Sequence, residues 1–210
     1  MWHRRVPRSS RGTRVEGDAA LRAHAARWSS LETTDPVRTG RHCPTCGSDS
    51  HGRPWVRLPD GTSPHVSLSR CGDHLVTVIA DHPVGVDVES IAAVNARWDP
   101  ALVLHPGELD AHLPGQMRAQ APTSAHFPGH MRVQAPTSAH LPGEMRVSEQ
   151  RAAAWCRKEA ILKALGTGLA TPMSEIRVAD WEVADIPAPH DCWASTAIIR
   201  QTGSGGSATA

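Results

Sequence analysis

The chain has 210 residues, 40% of them hydrophobic and 20% charged, with a formal net charge of +1. That length suits one large domain or two small packed ones, and the near-neutral charge leaves no overall field to draw the protein to nucleic acid or an anionic membrane. No stretch approaches the roughly 20 apolar residues needed to cross a bilayer. With seven Trp, one Phe and no Tyr, the core is expected to rest on Val, Leu, Ile and Ala, with Trp as the few large anchors.

Arg4, Arg5, Arg8, Arg11 and Arg14 crowd the N-terminus, and no apolar run follows them. They read as a solvated basic tail rather than a signal peptide, with a contact to a phosphate ligand as the alternative. Residues 18–28 are predicted to form a short Ala-rich helix. Residues 41–56 are polar and turn-prone, and they hold Cys43-Pro-Thr-Cys46 followed by His51. A CxxC with a nearby His is half of a zinc site, which His42 or Cys71 would have to complete. The preferred expectation is a turn with free thiols. Together with Cys156 and Cys192 these make five cysteines, an odd number that points to a reducing, cytoplasmic setting.

Three strands are predicted next, at 65–69, 75–80 and 84–89, separated by the turn signals Gly72-Asp73 and Asp81-His82-Pro83. Residues 111–124, 125–138 and 139–147 then repeat a fourteen-residue unit that starts Ala-His-Leu/Phe-Pro-Gly. Each full unit carries two Pro and one Gly and offers few core residues, so the segment 111–147 reads as an irregular insertion rather than a solenoid. A helix is predicted over 149–165, with Ser148 as its cap and Gly166 as its stop. Strands at 176–183 and 193–200 and a flexible tail at 201–210 complete the chain.

The candidate chemistry lies in carboxylates. Alternation along 84–89 puts Val84, Val86 and Val88 on one face and Asp87 with Glu89 on the other, roughly 7 Å apart along the strand. They are either an exposed acidic face or two oxygen ligands for one cation. In the late helix, Ala152, Trp155, Cys156, Glu159, Leu162 and Lys163 share a stripe. Glu159 there is either half of a helical ion pair with Lys163 or a third acid aimed at the same cleft. Three such carboxylates form a hard-oxygen set of the kind Mg²⁺ takes together with substrate phosphates.

The segment VGVDVE (84–89), of the form GxDxE, and WCRKEAILKALGTGL (155–169), of the form WxxKEAxxKxxGxGL, occur in that order behind HGRP (51–54) and SLS (67–69). Together they resemble the signature of the Sfp-type 4′-phosphopantetheinyl transferases, over roughly residues 41–110 and 148–183. The resemblance implies that Asp87, Glu89 and Glu159 bind Mg²⁺ with the pyrophosphate of coenzyme A. Lys163 would hold the phosphate that is attacked or assist the leaving group, with Lys158 near the same ligand. Arg53 would meet the nucleotide 3′-phosphate. Ser69 and Arg70 would contact the cofactor phosphates, Arg70 standing where many members have His. His105-Pro106-Gly107-Glu108 resembles a further short family element and is assigned no chemistry.

The implied reaction is attack by a serine of an apo acyl or peptidyl carrier protein on the β-phosphorus, with release of 3′,5′-ADP. A metal-held water or Glu159 would take the serine proton. The expected fold is α+β with small, mostly antiparallel sheets. The resemblance implies two similar halves, divided near residues 89–92, with the active site between them, and two halves in one chain point to a monomer. Three competing classes stay open: a weak or inactive relative that binds coenzyme A or a carrier protein, an unrelated Mg²⁺ phosphotransferase, and a zinc-type interaction module around Cys43 and Cys46. Walker and kinase signatures, which the second would be expected to carry, do not occur.

Deleting residues 111–138 is expected to leave a cooperatively folded protein, because two of the repeat units contribute little core. Circular dichroism and a thermal melt check this, and an insoluble or non-cooperative product would show the repeats to be structural.

Overall fold

A computed structural model describes residues 2–5, 13–29, 36–109 and 146–200. The repeats, apart from Arg146 and Val147, and the 201–210 tail lie outside the described residues. The chain is α+β, and every strand pairing is antiparallel.

Strand β1 (Trp2–Arg5) precedes helix α1 (Thr13–Ser29), which is longer than the predicted 18–28. A hairpin of β2 (Arg38–His42) and β3 (Arg53–Arg57) follows. Next come β4 (His65–Cys71) and β5 (His74–Ala80), joined by the predicted two-residue Gly72-Asp73 turn. Gly72 has φ +54° there, the left-handed conformation that a tight hairpin needs. These strands form a sheet of order β1-β5-β4. Helix α1 lays Leu21 and Ala25 against Val56, Val66 and Ile79 to build one core.

The second sheet has the order β6-β8-β7, from β6 (Val84–Ser90), β7 (Glu182–Ile186) and β8 (Cys192–Ile198). Between β6 and β7 run two short helices, α2 (Ile91–Ala96) and α3 (Pro100–Val103), and the long helix α4 (Val147–Leu165). The strand predicted at 176–183 is interrupted by a 3-10 turn, Val178–Asp180, and the strand itself starts only at Glu182. Strand β6 pairs with β8 and so belongs to the sheet of the C-terminal elements.

Helix α4 starts one residue before the expected cap. Ser148 is inside it, Arg146 is the cap residue, and the Glu149 side chain accepts the Arg146 amide at 3.0 Å. Gly166 ends the helix at φ +77° as predicted. Its small residues decide how closely it lies on the sheet. Gly85, Asp87 and Glu89 share one face of β6, and a Cβ built on Gly85 would overlap the Ala160 carbonyl oxygen and come within 2.6 Å of the Ala164 nitrogen. The strand therefore meets the helix backbone to backbone. Ile161, Leu162, Ala164 and Ala197 fill the core beside this contact, with Trp98, Trp155 and Trp181 packed at its margin. Those three Trp act as the expected anchors, whereas Trp28 and Trp55 are exposed. Among the described residues no helix is long and apolar enough to cross a membrane.

Gly85→Ala is expected to destabilise the protein by about 1–3 kcal/mol or more, since the added methyl meets helix backbone that cannot rotate away. Urea denaturation measures this, and an unchanged midpoint would contradict the close approach.

Candidate functional site: the cleft between strand β6 and helix α4

Asp87 sits two residues after Gly85 on the face that meets α4, and it is 2% exposed. Its Oδ1 accepts a hydrogen bond from Ser69 Oγ at 2.8 Å and one from Lys163 Nζ at 2.5 Å. Lys163 Nζ also donates to Ser69 Oγ and to the Val86 carbonyl oxygen, both at 3.2 Å. The lysine extends back from its own turn, as side chains on a helix lean toward the N-terminus. Ser67 Oγ accepts the Val86 amide at 3.2 Å, which binds the β4 edge to β6 and brings Ser69 to Asp87. Asp87 Oδ2 is buried and has no hydrogen-bond partner.

Glu89 and Glu159 complete the acidic group. Burial, then the charge of Asp87, pushes the carboxyl pKa of each above the ordinary range. Burial and the same carboxylates also push the Cys156 thiol, under the cleft, upward. Glu89 pairs with Arg97 at 3.1 Å, and Arg97 also lies over the Trp155 ring, 5.0 Å from its centroid. Glu159 has no hydrogen bond or ion pair among the described residues, and Lys163, its alternative helical partner, pairs with Asp87 instead. The three carboxylates lie near enough for Asp87 and Glu89 both to raise the Glu159 pKa, without closing on a common point. Among the described residues, only Cys43, Cys46 and His51 bring three ligand atoms within 4.8 Å of one another.

Arg53, at the start of β3, reaches the end of α4. It donates to the Ala164 carbonyl oxygen at 3.4 Å and lies against Gly166, at the electronegative end of the helix. With Lys163 and Arg97, it makes three cationic groups near the carboxylates.

Two of the residues expected beside a ligand lie elsewhere. Arg70 follows Ser69, so strand alternation turns it to the α1 face, where it bonds Glu16 at 2.9 Å. Lys158 precedes Glu159 by one residue, about 100° around the helix, and its side chain is fully buried. Its Nζ meets Glu108 Oε2 at 2.6 Å and the carbonyl oxygens of Ile176 at 2.6 Å and Met173 at 3.2 Å. All three ammonium protons are thus held by the protein.

Glu108, to which the sequence reading assigned nothing, is the centre of that pin. It also accepts the Val178 amide at 2.7 Å and the His105 amide at 3.0 Å. Burial alone would raise its pKa, but the bonds from Lys158 and the two amides outweigh it and hold the carboxyl below its usual range. A Glu following His-Pro-Gly, where it can cap its own turn, was the available signal.

A family model described as the 4′-phosphopantetheinyl transferase superfamily matches residues 131–200. The match takes in α4, with Glu159 and Lys163, and both β7 and β8, but not Asp87 and Glu89 on β6. The likeness is to the superfamily as a whole. No curated protein sequence matches the chain.

Lys158→Ala is expected to cost about 3–5 kcal/mol, because it strands the Glu108 carboxylate in the interior. Pairing Lys158→Met with Glu108→Gln is expected to recover part of that loss. Denaturant midpoints of the three proteins check both statements.

Proposed function

We propose that this chain transfers 4′-phosphopantetheine from coenzyme A to a serine of an apo acyl or peptidyl carrier protein, in a Mg²⁺-dependent reaction that releases 3′,5′-ADP. The observation that carries this reading is the meeting of Asp87, Ser69 and Lys163 at one point, with Glu89 and Glu159 facing the same cleft. The superfamily match over α4 supports the group that is transferred. The GxDxE and WxxKEAxxKxxGxGL segments favour the Sfp-type branch, in which two halves border the cleft.

The donor set suits a hard cation. Asp87 Oδ2 is a buried carboxylate oxygen with no partner, and Glu159 has none either among the described residues. Both are costly arrangements unless a ligand completes them. Asp87, Glu89 and Glu159 would hold Mg²⁺, which is usually bound by a few acids plus substrate phosphates and waters, so an open cleft is appropriate. When bound, the ion would neutralise the pyrophosphate and the charge that builds on the departing nucleotide.

The protein's own groups account for the remaining steps. Lys163, fixed by Ser69 and the Val86 carbonyl, is placed to exchange one contact for a phosphate oxygen. Arg53, exposed at the end of α4, is the group to meet the nucleotide 3′-phosphate. Glu159 takes the proton of the carrier serine as general base. The serine oxygen forms a bond to the β-phosphorus as the bond to the bridging oxygen breaks, and that oxygen leaves with 3′,5′-ADP.

Glu159→Gln keeps the shape of the side chain and removes its basicity. Transfer is expected to fall by about 10² or more, with an unchanged melting profile. Intact-mass analysis of apo carrier proteins incubated with coenzyme A and Mg²⁺, with EDTA as control, reads the result. Near-normal turnover in the variant would overturn the assignment of Glu159.

A further inference from the structure

The hairpin of β2 and β3 carries a group of side chains that the transfer reading does not use. Cys43, Cys46 and His51 each present one ligand atom, and the three atoms lie within 4.8 Å of one another. Cys46 Sγ is 3.4 Å from His51 Nε2. With zinc–sulfur bonds near 2.3 Å and zinc–nitrogen bonds near 2.0–2.1 Å, a tetrahedral ion separates such a pair by about 3.5 Å. This pair already stands at that spacing.

The backbone is shaped around the same three residues. Gly47 takes φ +72°, and its amide bonds the Cys43 carbonyl oxygen at 2.9 Å, while the Cys43 amide bonds the Ser48 carbonyl oxygen at 2.9 Å. Gly52, at φ +97°, lets the other arm of the loop close, since a Cβ there would come within 2.6 Å of the Cys43 nitrogen and Cα. On the far side of the imidazole, His51 Nδ1 lies 3.4 Å from Ser50 Oγ. A hydrogen bond at that nitrogen orients a ligating histidine and leaves Nε2 as the donor atom.

We infer that Cys43, Cys46 and His51 form a binding site for a thiophilic divalent cation, Zn²⁺, with solvent in the fourth position. Cys46 and His51 are exposed, so water reaches the open side. The completing ligands suggested by the sequence do not contribute: Cys71 Sγ lies 3.3 Å from Cys192 Sγ, and His42 is not within the cluster. The ion would tie the end of β2 to the start of β3. This site is independent of the Mg²⁺ cleft, whose ligands are all carboxylates.

The test is titration of the reduced, metal-free full-length chain with Co²⁺. One equivalent is expected to produce a thiolate-to-cobalt charge-transfer band and tetrahedral d–d bands, and Zn²⁺ should bleach both one for one. Cys46→Ser and His51→Ala should each weaken binding by about 100-fold or more, since removing a ligand exceeds the 10–100-fold cost of losing one that supports it. Octahedral cobalt spectra without a thiolate band, or full zinc affinity in both variants, would overturn the site. The wild-type spectrum decides the matter even if a variant fails to fold.

Discussion

The contact of Gly85 with the backbone of α4 is the constraint on which the rest of the cleft depends. A side chain at that position would hold strand and helix apart by the width of a methyl group. With none, β6 lies close enough for Lys163 to reach Asp87 two residues along the strand. Ala160 and Ala164 are the matching choice on the helix, fully or almost fully buried and small. Packing between an almost featureless strip of Gly and Ala thus sets the distance between Lys163 and Asp87.

Helix α4 also separates two charged pairs that are close in sequence. Lys158 and Glu159 are neighbours in the chain but point about 100° apart. The first is sunk into a pin with Glu108 and two carbonyl oxygens, which fastens the helix to the 106–108 and 173–178 segments. The second has no ion-pair partner among the described residues. Lys158 therefore holds the helix in place while Glu159 and Lys163 remain directed at β6. A buried pair whose every proton is satisfied adds orientation more than net stability, since desolvation offsets much of its attraction.

Charge balance in the cleft is deliberately incomplete. Lys163 neutralises one oxygen of Asp87 and Arg97 engages Glu89, yet Asp87 Oδ2 and Glu159 have no partner among the described residues. Burial, and after it the charge of Asp87, is why Glu89 and Glu159 hold their protons more strongly, with Arg97 and Lys163 acting in the opposite direction.

What the sequence by itself determined is what depends on short spacings. The α4 helix and the shared face of Asp87 and Glu89 follow from periods of 3.6 and two residues, and the Gly166 stop and the Gly72-Asp73 turn from glycine's access to positive φ. Contacts between distant segments were decided only by the tertiary structure. Arg70 turned away to Glu16, Lys158 went into the interior, Lys163 chose Asp87 over Glu159, and β6 joined β8 rather than the strands before it. The closure of His51 onto Cys43 and Cys46 belongs to the same group, although the residues lie only eight positions apart. In each case the free energy of a charged or ligating side chain depends on which partner the folded backbone brings within about 3 Å, and local periodicity carries no information about that distance.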